Sequence, residues 1–153
     1  MGTATTYHRR RRGLFALLAV GAACLWLARR RPFRAVVSGP SMEPELHDGD
    51  VVLALAGRRP RTGDVVVVEH PERDGFEMVK RVAGGPGEVV HLLADGTRLP
   101  EPVALRAGEW FVVGDARGAS TDSRSFGPVG PGQLHGVVVV VLGPGRRRVR
   151  RRG

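Results

Sequence analysis

Hydrophobic and polar residues divide the chain into one uninterrupted apolar segment and a longer region of short apolar runs. The apolar segment is residues 13–28, sixteen residues without a charge between Arg9–Arg12 and Arg29–Arg31. As a helix it is about 24 Å long, slightly less than a hydrocarbon core of ~30 Å, and arginines on both sides can reach the head groups. We therefore predict an uncleaved transmembrane anchor at 13–28. Leu27-Ala28-Arg29 is a poor cleavage site, which disfavours a removed secretory signal.

Beyond residue 31 the pattern is that of short β-strands. Valine-rich runs alternate with glycine- and proline-rich breakers, and no convincing helical period appears outside the anchor. The predicted strands are Phe33–Val37, Asp50–Ala56, Asp64–Glu69, Phe76–Val82, Glu88–Leu93, Glu109–Val113 and Leu134–Leu142. We predict a mainly β domain at 32–143, a basic N-terminal tail at 1–12 and a basic disordered tail at 144–153.

Charge and cysteine content narrow the choice of partners. The net charge is +9, but residues 1–31 carry seven arginines and no acid, and residues 146–153 carry six arginines and no acid. The region between them is mildly acidic, so the basic character belongs to the tails, which suit anionic lipid head groups at least as well as nucleic acid. We expect membrane lipid as a partner and no nucleic acid. Cys24 is the single cysteine and the five histidines lack metal-ligand spacing, so no metal or cofactor is expected.

One lysine stands out among 23 arginines. Arginine does not lose its proton in proteins, whereas a lysine that is desolvated by apolar neighbours can become a neutral amine and act as a base. With a period of two, Met78, Lys80 and Val82 share one face of a predicted strand. The pattern favours burial of the amine, and the alternative is a surface lysine on an edge strand.

Two further segments change the interpretation of Lys80. Ser41 lies 39 residues before it, within Ser-Gly-Pro-Ser-Met-Glu-Pro at 38–44. A long polar loop at 114–129, Gly-Asp-Ala-Arg-Gly-Ala-Ser-Thr-Asp-Ser-Arg-Ser-Phe-Gly-Pro-Val, lies between two apolar runs. Taken alone, this loop reads as an ordered turn. A serine hydroxyl becomes a good nucleophile when a base such as a neutral amine takes its proton, so the pair predicts a Ser/Lys hydrolase.

Together these segments resemble the type I signal peptidase family of membrane-anchored serine proteases, from Val36 to about Leu142. The nucleophile box corresponds to 38–44, the next box to Gly49-Asp50-Val51-Val52, the base box to 80–88 and the last box to 114–129. These motifs are most similar to those of the bacterial and mitochondrial inner-membrane branches of the family. The resemblance implies a coiled β-sheet catalytic domain of the signal peptidase/LexA-like kind, preceded by one N-terminal transmembrane helix.

The resemblance also implies a role for each residue of these boxes. Ser41 would attack the scissile carbonyl, and its backbone N–H would meet the oxyanion. Lys80 would be the general base, with Ser120 orienting its amine by a hydrogen bond. Asp122 and Arg124 would hold the loop as an ion pair.

Residues beside the dyad would form shallow substrate pockets that prefer small side chains, as in Ala-X-Ala cleavage sites. These are Val37, Met42, Met78 and Val79. Two positions depart from the family pattern. Gly39 stands where some members carry a serine as second oxyanion donor, so that donor is unassigned, and Ala116 replaces the usual asparagine of the last box.

The sequence thus predicts a single-pass enzyme of the cell membrane with its catalytic domain on the extracytoplasmic face. It would remove N-terminal signal or leader peptides from exported preproteins. Three alternatives are open: a dedicated maturation protease of the same family for one client, a self-cleaving transcriptional repressor of the LexA type, and an inactive membrane-anchored binding module. The repressor alternative requires a soluble protein with a helix-turn-helix, whereas residues 13–28 are apolar.

Overall fold

This computed structural model describes residues 31–142, together with Gly21, Arg148 and Val149. The predicted anchor at 13–28, apart from Gly21, and the tails at 1–12 and 144–153, apart from Arg148 and Val149, lie outside the described residues. Among the described residues, no helix has the length and apolar character needed to cross a membrane. All strands fall in one of two compact units, the one formed by residues 32–153.

Antiparallel strands form a six-stranded sheet in the order β1-β2-β8-β3-β4-β7 and a separate two-stranded sheet of β5 and β6. Their bounds are β1 Pro32–Val36, β2 Val51–Leu55, β3 Val65–Glu69, β4 Glu77–Gly84, β5 Val89–Leu92, β6 Arg98–Ala104, β7 Phe111–Val113 and β8 Leu134–Leu142. A 3₁₀ turn at Arg117–Ala119 and a short helix α1 at Ser123–Phe126 lie between β7 and β8. The prediction of a mainly β domain is confirmed for residues 31–142.

Both faces of the large sheet are covered, which explains its continuous valine runs. Val65 and Val67 of β3 pack into one core cluster, while Val66 and Val68 pack into another. Successive side chains of a strand point to opposite faces, so a strand buried on both faces needs apolar residues at every position. The burial of these valines joins the six strands into one scaffold for the site.

Two features of the region 88–126 differ from the prediction. Strand β6 was not among the predicted strands. Pro100 and Pro102 lie inside it, and proline normally interrupts a strand. The strand tolerates them as half of a two-stranded sheet whose other side is unpaired. The polar loop also contains the 3₁₀ turn and α1, which are too short to produce a helical period.

Two strands of the large sheet, β1 and β4, have edges that are not paired with a neighbouring strand among the described residues. β1 is the terminal strand of the large sheet and pairs only with β2. β4 pairs with β7 only from Arg81 onward, so its first half, Glu77 to Lys80, has one unpaired edge among the described residues. Such edges can accept an additional extended chain.

Candidate active site

Ser41 lies in the tight turn that follows β1. Met42 and Leu46, which follow Ser41 in this turn, are fully buried in the core, and the Leu46 N–H donates to the Met42 carbonyl at 3.0 Å. The Ser41 carbonyl accepts a hydrogen bond from the Ala116 N–H at 3.0 Å, which joins the turn to the polar loop. The core and the loop together hold the serine in place.

Lys80 extends from β4 to the serine hydroxyl. Its Nζ lies 2.9 Å from Oγ of Ser41, and the lysine residue is only 3% exposed. Burial lowers the pKa of the Lys80 amine below its ordinary value of 10.5. The negative charge of Asp122 opposes this shift in pKa, and the positive charge of Arg124 adds to it. The amine is therefore brought toward its neutral form at hydrogen-bond distance from a hydroxyl.

Asp122 is the centre of the polar loop and has no exposed surface. Its Oδ2 accepts hydrogen bonds from Ser120 Oγ at 2.8 Å, the Gly114 N–H at 2.8 Å and Arg124 Nη2 at 2.6 Å. Arg124 Nε also donates to Oδ1 at 2.8 Å. Burial opposes ionisation of Asp122, but the hydrogen bonds from Arg124, Gly114 and Ser120 outweigh it, so the pKa of this carboxyl is lowered.

Ser120 does not make the hydrogen bond to Lys80 that the resemblance implies. Its hydroxyl donates to Asp122, and among residues 31–142 no hydrogen bond joins it to Lys80. A Cβ at Gly114 would lie 2.2 Å from Ser120 Oγ and 2.6 Å from the Ser41 carbonyl oxygen. Glycine is required at 114 because the loop, Ser120 and the turn that holds Ser41 meet there without space for a side chain.

A groove of about 320 Å³ contains Ser41 and Lys80. Of the four predicted pocket residues, Val37, Met78 and Val79 line it. The prediction for Met42 is wrong in this structure: its side chain is fully buried in the core and does not line the groove, because the turn directs it inward beneath Ser41.

The groove extends further than the sequence predicts. Ala35 and Val36 of β1 form one wall, and Phe76 and Glu77 at the start of β4 form part of the other. Val36 is 66% exposed and Phe76 49% exposed, although both are apolar. An exposed apolar residue inside a predicted strand has no distinguishing mark in the sequence, so only the tertiary structure identifies these walls.

A second buried cation follows Lys80 directly. Arg81 donates from Nε and Nη2 to the two oxygens of Asp115, each at 2.7 Å, and from Nη1 to the Gly63 carbonyl at 2.8 Å. Arg81 and Asp115 both belong to motifs of the sequence, but the contact between them was not predicted. Among the described residues, no group of histidine, cysteine and acidic side chains is arranged to hold a metal ion.

The arrangement therefore brings together a hydroxyl, a desolvated amine and a groove with two open strand edges. An amine of lowered pKa can take a hydroxyl proton, and the open edges can pair with an extended polypeptide. These are the elements of a peptidase that cleaves extended chains.

Comparison with known proteins agrees with this class. A sequence profile of the family described as signal peptidase, peptidase S26, matches residues 9–99 and 93–142. The mitochondrial ATP-independent inner membrane protease subunit 1b of Arabidopsis thaliana is 38% identical over 114 residues, covering 70% of this chain and 68% of the relative. The mitochondrial inner membrane protease subunit 2 of Mus musculus is 35% identical over 122 residues, covering 74% and 68%. Subunit 1 of Schizosaccharomyces pombe is 35% identical over 115 residues, covering 71% and 72%.

The chain belongs to the signal peptidase family, peptidase S26. The resemblance inferred from the motifs of the sequence is thereby confirmed at the level of the family.

Proposed function

We propose that this protein is a membrane-bound serine endopeptidase that removes N-terminal signal or leader peptides from exported preproteins. The observation that carries the proposal is the distance of 2.9 Å between Lys80 Nζ and Ser41 Oγ, with the amine buried and its pKa lowered. No carboxylate is hydrogen-bonded to Lys80 among the described residues, so its most direct polar contact is the nucleophile itself.

The reaction begins when the neutral Lys80 amine takes the proton of Ser41 while Oγ attacks the scissile carbonyl. The ammonium then gives this proton to the leaving amine, and an acyl-enzyme remains on Ser41. A water molecule activated by Lys80 hydrolyses the ester and restores the serine. Because only the neutral amine can act as base, kcat/KM should rise as the pH increases through the lowered pKa of Lys80.

The oxyanion of the tetrahedral intermediate is met by the Ser41 backbone N–H, which has no other acceptor among the described residues. Gly39 offers no second donor, because it lacks a side chain and its N–H donates to Asp48 Oδ1 at 2.8 Å. Ser120 acts on Lys80 indirectly, through Asp122. The negative charge of Asp122 raises the pKa of Lys80, and this carboxylate is hydrogen-bonded by Ser120 and paired with Arg124.

The substrate is an extended preprotein segment that pairs with the open edges of β1 and β4. Val37, Met78 and Val79 then leave room for small side chains next to the scissile bond. Residues 13–28 anchor the enzyme in a membrane by a single pass, with the peptidase domain on the extracytoplasmic side. The relatives named as inner membrane protease subunits support a membrane location and protein substrates. The mechanism uses no metal or cofactor.

Processing of a preprotein with an Ala-X-Ala site tests this proposal, with the wild type and Ser41→Ala compared in the same detergent. Ser41→Ala should abolish cleavage while the circular dichroism spectrum is unchanged. Ser125→Ala is the matched control, because Ser125 is an exposed serine of α1 away from the dyad. Cleavage by Ser41→Ala at the wild-type rate would sink the nucleophile assignment.

A further inference from the structure

A second cleft, of about 360 Å³, shares no lining residue with the catalytic groove. Its walls include Arg58, Arg59, Pro60, Trp110, Pro131 and His135, and we refer to it as the arginine cleft. It lies between the turn that follows β2, the residue before β7 and the beginning of β8.

The unpaired polar groups of the arginine cleft are all hydrogen-bond donors. Arg58 is half-buried and Arg59 is exposed, and neither side chain has a carboxylate partner among the described residues. Trp110 is 6% exposed, and its Nε1, which has no acceptor among the described residues, is itself buried, so the ring offers the cleft mainly apolar surface. His135 lies against Glu69 and Glu77, at 3.2 and 2.7 Å, so these two carboxylates are already engaged. The cleft is therefore complementary to an anion.

The remaining wall is apolar and rigid. Pro60 is buried, and Pro86, Pro131 and Leu134 contribute further apolar surface beside the Trp110 ring. An inorganic anion would contact the arginines but leave this surface exposed to water. A ligand with a phosphate next to an apolar body covers both parts of the cleft.

Strand register places the arginine cleft at one particular end of the large sheet. Pro32, the first residue of β1, pairs with Leu55 at the end of β2, and only a two-residue turn separates Leu55 from Arg58 and Arg59. Leu55 also pairs with Val137 near the start of β8. The cleft thus lies at the end of the sheet where β1 begins, and three residues separate β1 from the predicted anchor at 13–28 in the sequence.

We propose that the arginine cleft binds the head group of an anionic phospholipid. Arg58 and Arg59 contact the phosphate, and the glycerol backbone lies against the prolines and Trp110. Arginines near an anionic bilayer surface contribute favourably to binding, and the cleft lies at the end of the sheet where the chain continues from the predicted anchor at 13–28. The inference rests on the anchor in the proposed function but not on the peptidase reaction.

Fluorescence of the full chain in a neutral detergent tests the site directly. Trp26 and Trp110 are the two tryptophans, so Trp26→Phe leaves Trp110 as the reporter. Dihexanoyl phosphatidylglycerol should change the Trp110 emission with saturation, whereas dihexanoyl phosphatidylcholine and inorganic phosphate should not. Arg58→Gln with Arg59→Gln should weaken binding by about 25-fold, from roughly fivefold for each arginine.

The matched control is Arg98→Gln with Arg106→Gln, which removes the same charge from two exposed arginines outside the cleft. It should bind phosphatidylglycerol like the wild type. Equal binding by the Arg58/Arg59 variant, or equal loss in the control, would overturn the proposal because the basic tails would then carry the interaction. Saturation by inorganic phosphate or phosphatidylcholine would also overturn it. Alkaline extraction of membranes tests the anchor, and preprotein cleavage tests the peptidase, so each failure is separately visible.

Discussion

Lys80 and Arg81 are consecutive residues of β4, and each is only 3% exposed. Their partners differ completely. Lys80 meets the neutral hydroxyl of Ser41 at 2.9 Å, whereas Arg81 meets both carboxylate oxygens of Asp115 at 2.7 Å and a backbone carbonyl. Burial without a hydrogen-bonded carboxylate favours a neutral base, and burial with one favours a permanent ion pair.

The two cations also differ in what they hold together. The planar guanidinium of Arg81 donates two parallel bonds to Asp115, a geometry that an ammonium does not offer. Asp115 begins the polar loop, so this pair ties β4 to the segment whose Ala116 N–H supports Ser41. We infer that Arg81 stabilises the frame and Lys80 performs the chemistry.

Exchanging Lys80 for arginine gives the largest expected effect, because it replaces an amine that can lose its proton with a guanidinium that cannot. Lys80→Arg should lower kcat/KM for a preprotein by at least about a thousandfold, within the range of general-base catalysis. The circular dichroism spectrum should stay that of the wild type, with Lys80→Met as an uncharged comparison. Near-normal activity of Lys80→Arg would show that another group is the base.

Removing the neighbouring arginine should act on stability. Arg81→Met leaves the buried Asp115 carboxylate without its partner and should lower the free energy of unfolding by about 3–5 kcal/mol. Urea unfolding measures this loss. The double variant Arg81→Met with Asp115→Leu should recover most of it, because no buried charge remains. A loss of less than about 1 kcal/mol in the single variant would mean that the pair is not a structural clamp.

The pH dependence of stability distinguishes the two cations further. The pKa of Lys80 is lower in the folded state than its ordinary value of 10.5, so the unfolded chain binds more protons between these two values. Stability should therefore rise with pH through this window, by up to about 1.4 kcal/mol per pH unit. Lys80→Met should lack this rise and should differ least from the wild type above pH 10.5. A parallel pH profile for both proteins contradicts the assignment.

The smallest effect is expected at Ser120, which supports Lys80 only through Asp122. Ser120→Ala removes one hydrogen bond to this carboxylate and should cost about 1 kcal/mol of stability. A carboxylate less occupied by hydrogen bonds raises the pKa of Lys80 more, so the acid limb of the kcat/KM profile should move to higher pH. Ser125→Ala serves as control. An unchanged profile would limit Ser120 to a structural role.

Much of the strand pattern followed from local chemistry. The run Val65–Val68 and the strand Leu134–Leu142 were predictable, because valine-rich segments between glycine and proline breakers favour strands. β6 was not, because Pro100 and Pro102 obscure it. The pairing of Ser41 with Lys80 was predicted from the single lysine and the ordered motifs, whereas Met42 was assigned to the wrong environment. A motif shows which residues are adjacent in sequence but not which way a turn directs each side chain.

By itself the sequence determined the family, the mainly β class and the identity of the serine and lysine, since these follow from residue types and their order. Only the tertiary structure decided the partners. Ser41 and Lys80, 39 positions apart in the chain, come to a 2.9 Å contact because the end of β1 and the first half of β4 line one groove. The same fold leaves Lys80 without a hydrogen-bonded carboxylate among the described residues. It also brings Arg81 to Asp115, 34 positions away in the chain. Both outcomes depend on desolvation and geometry, which arise only when distant segments pack together.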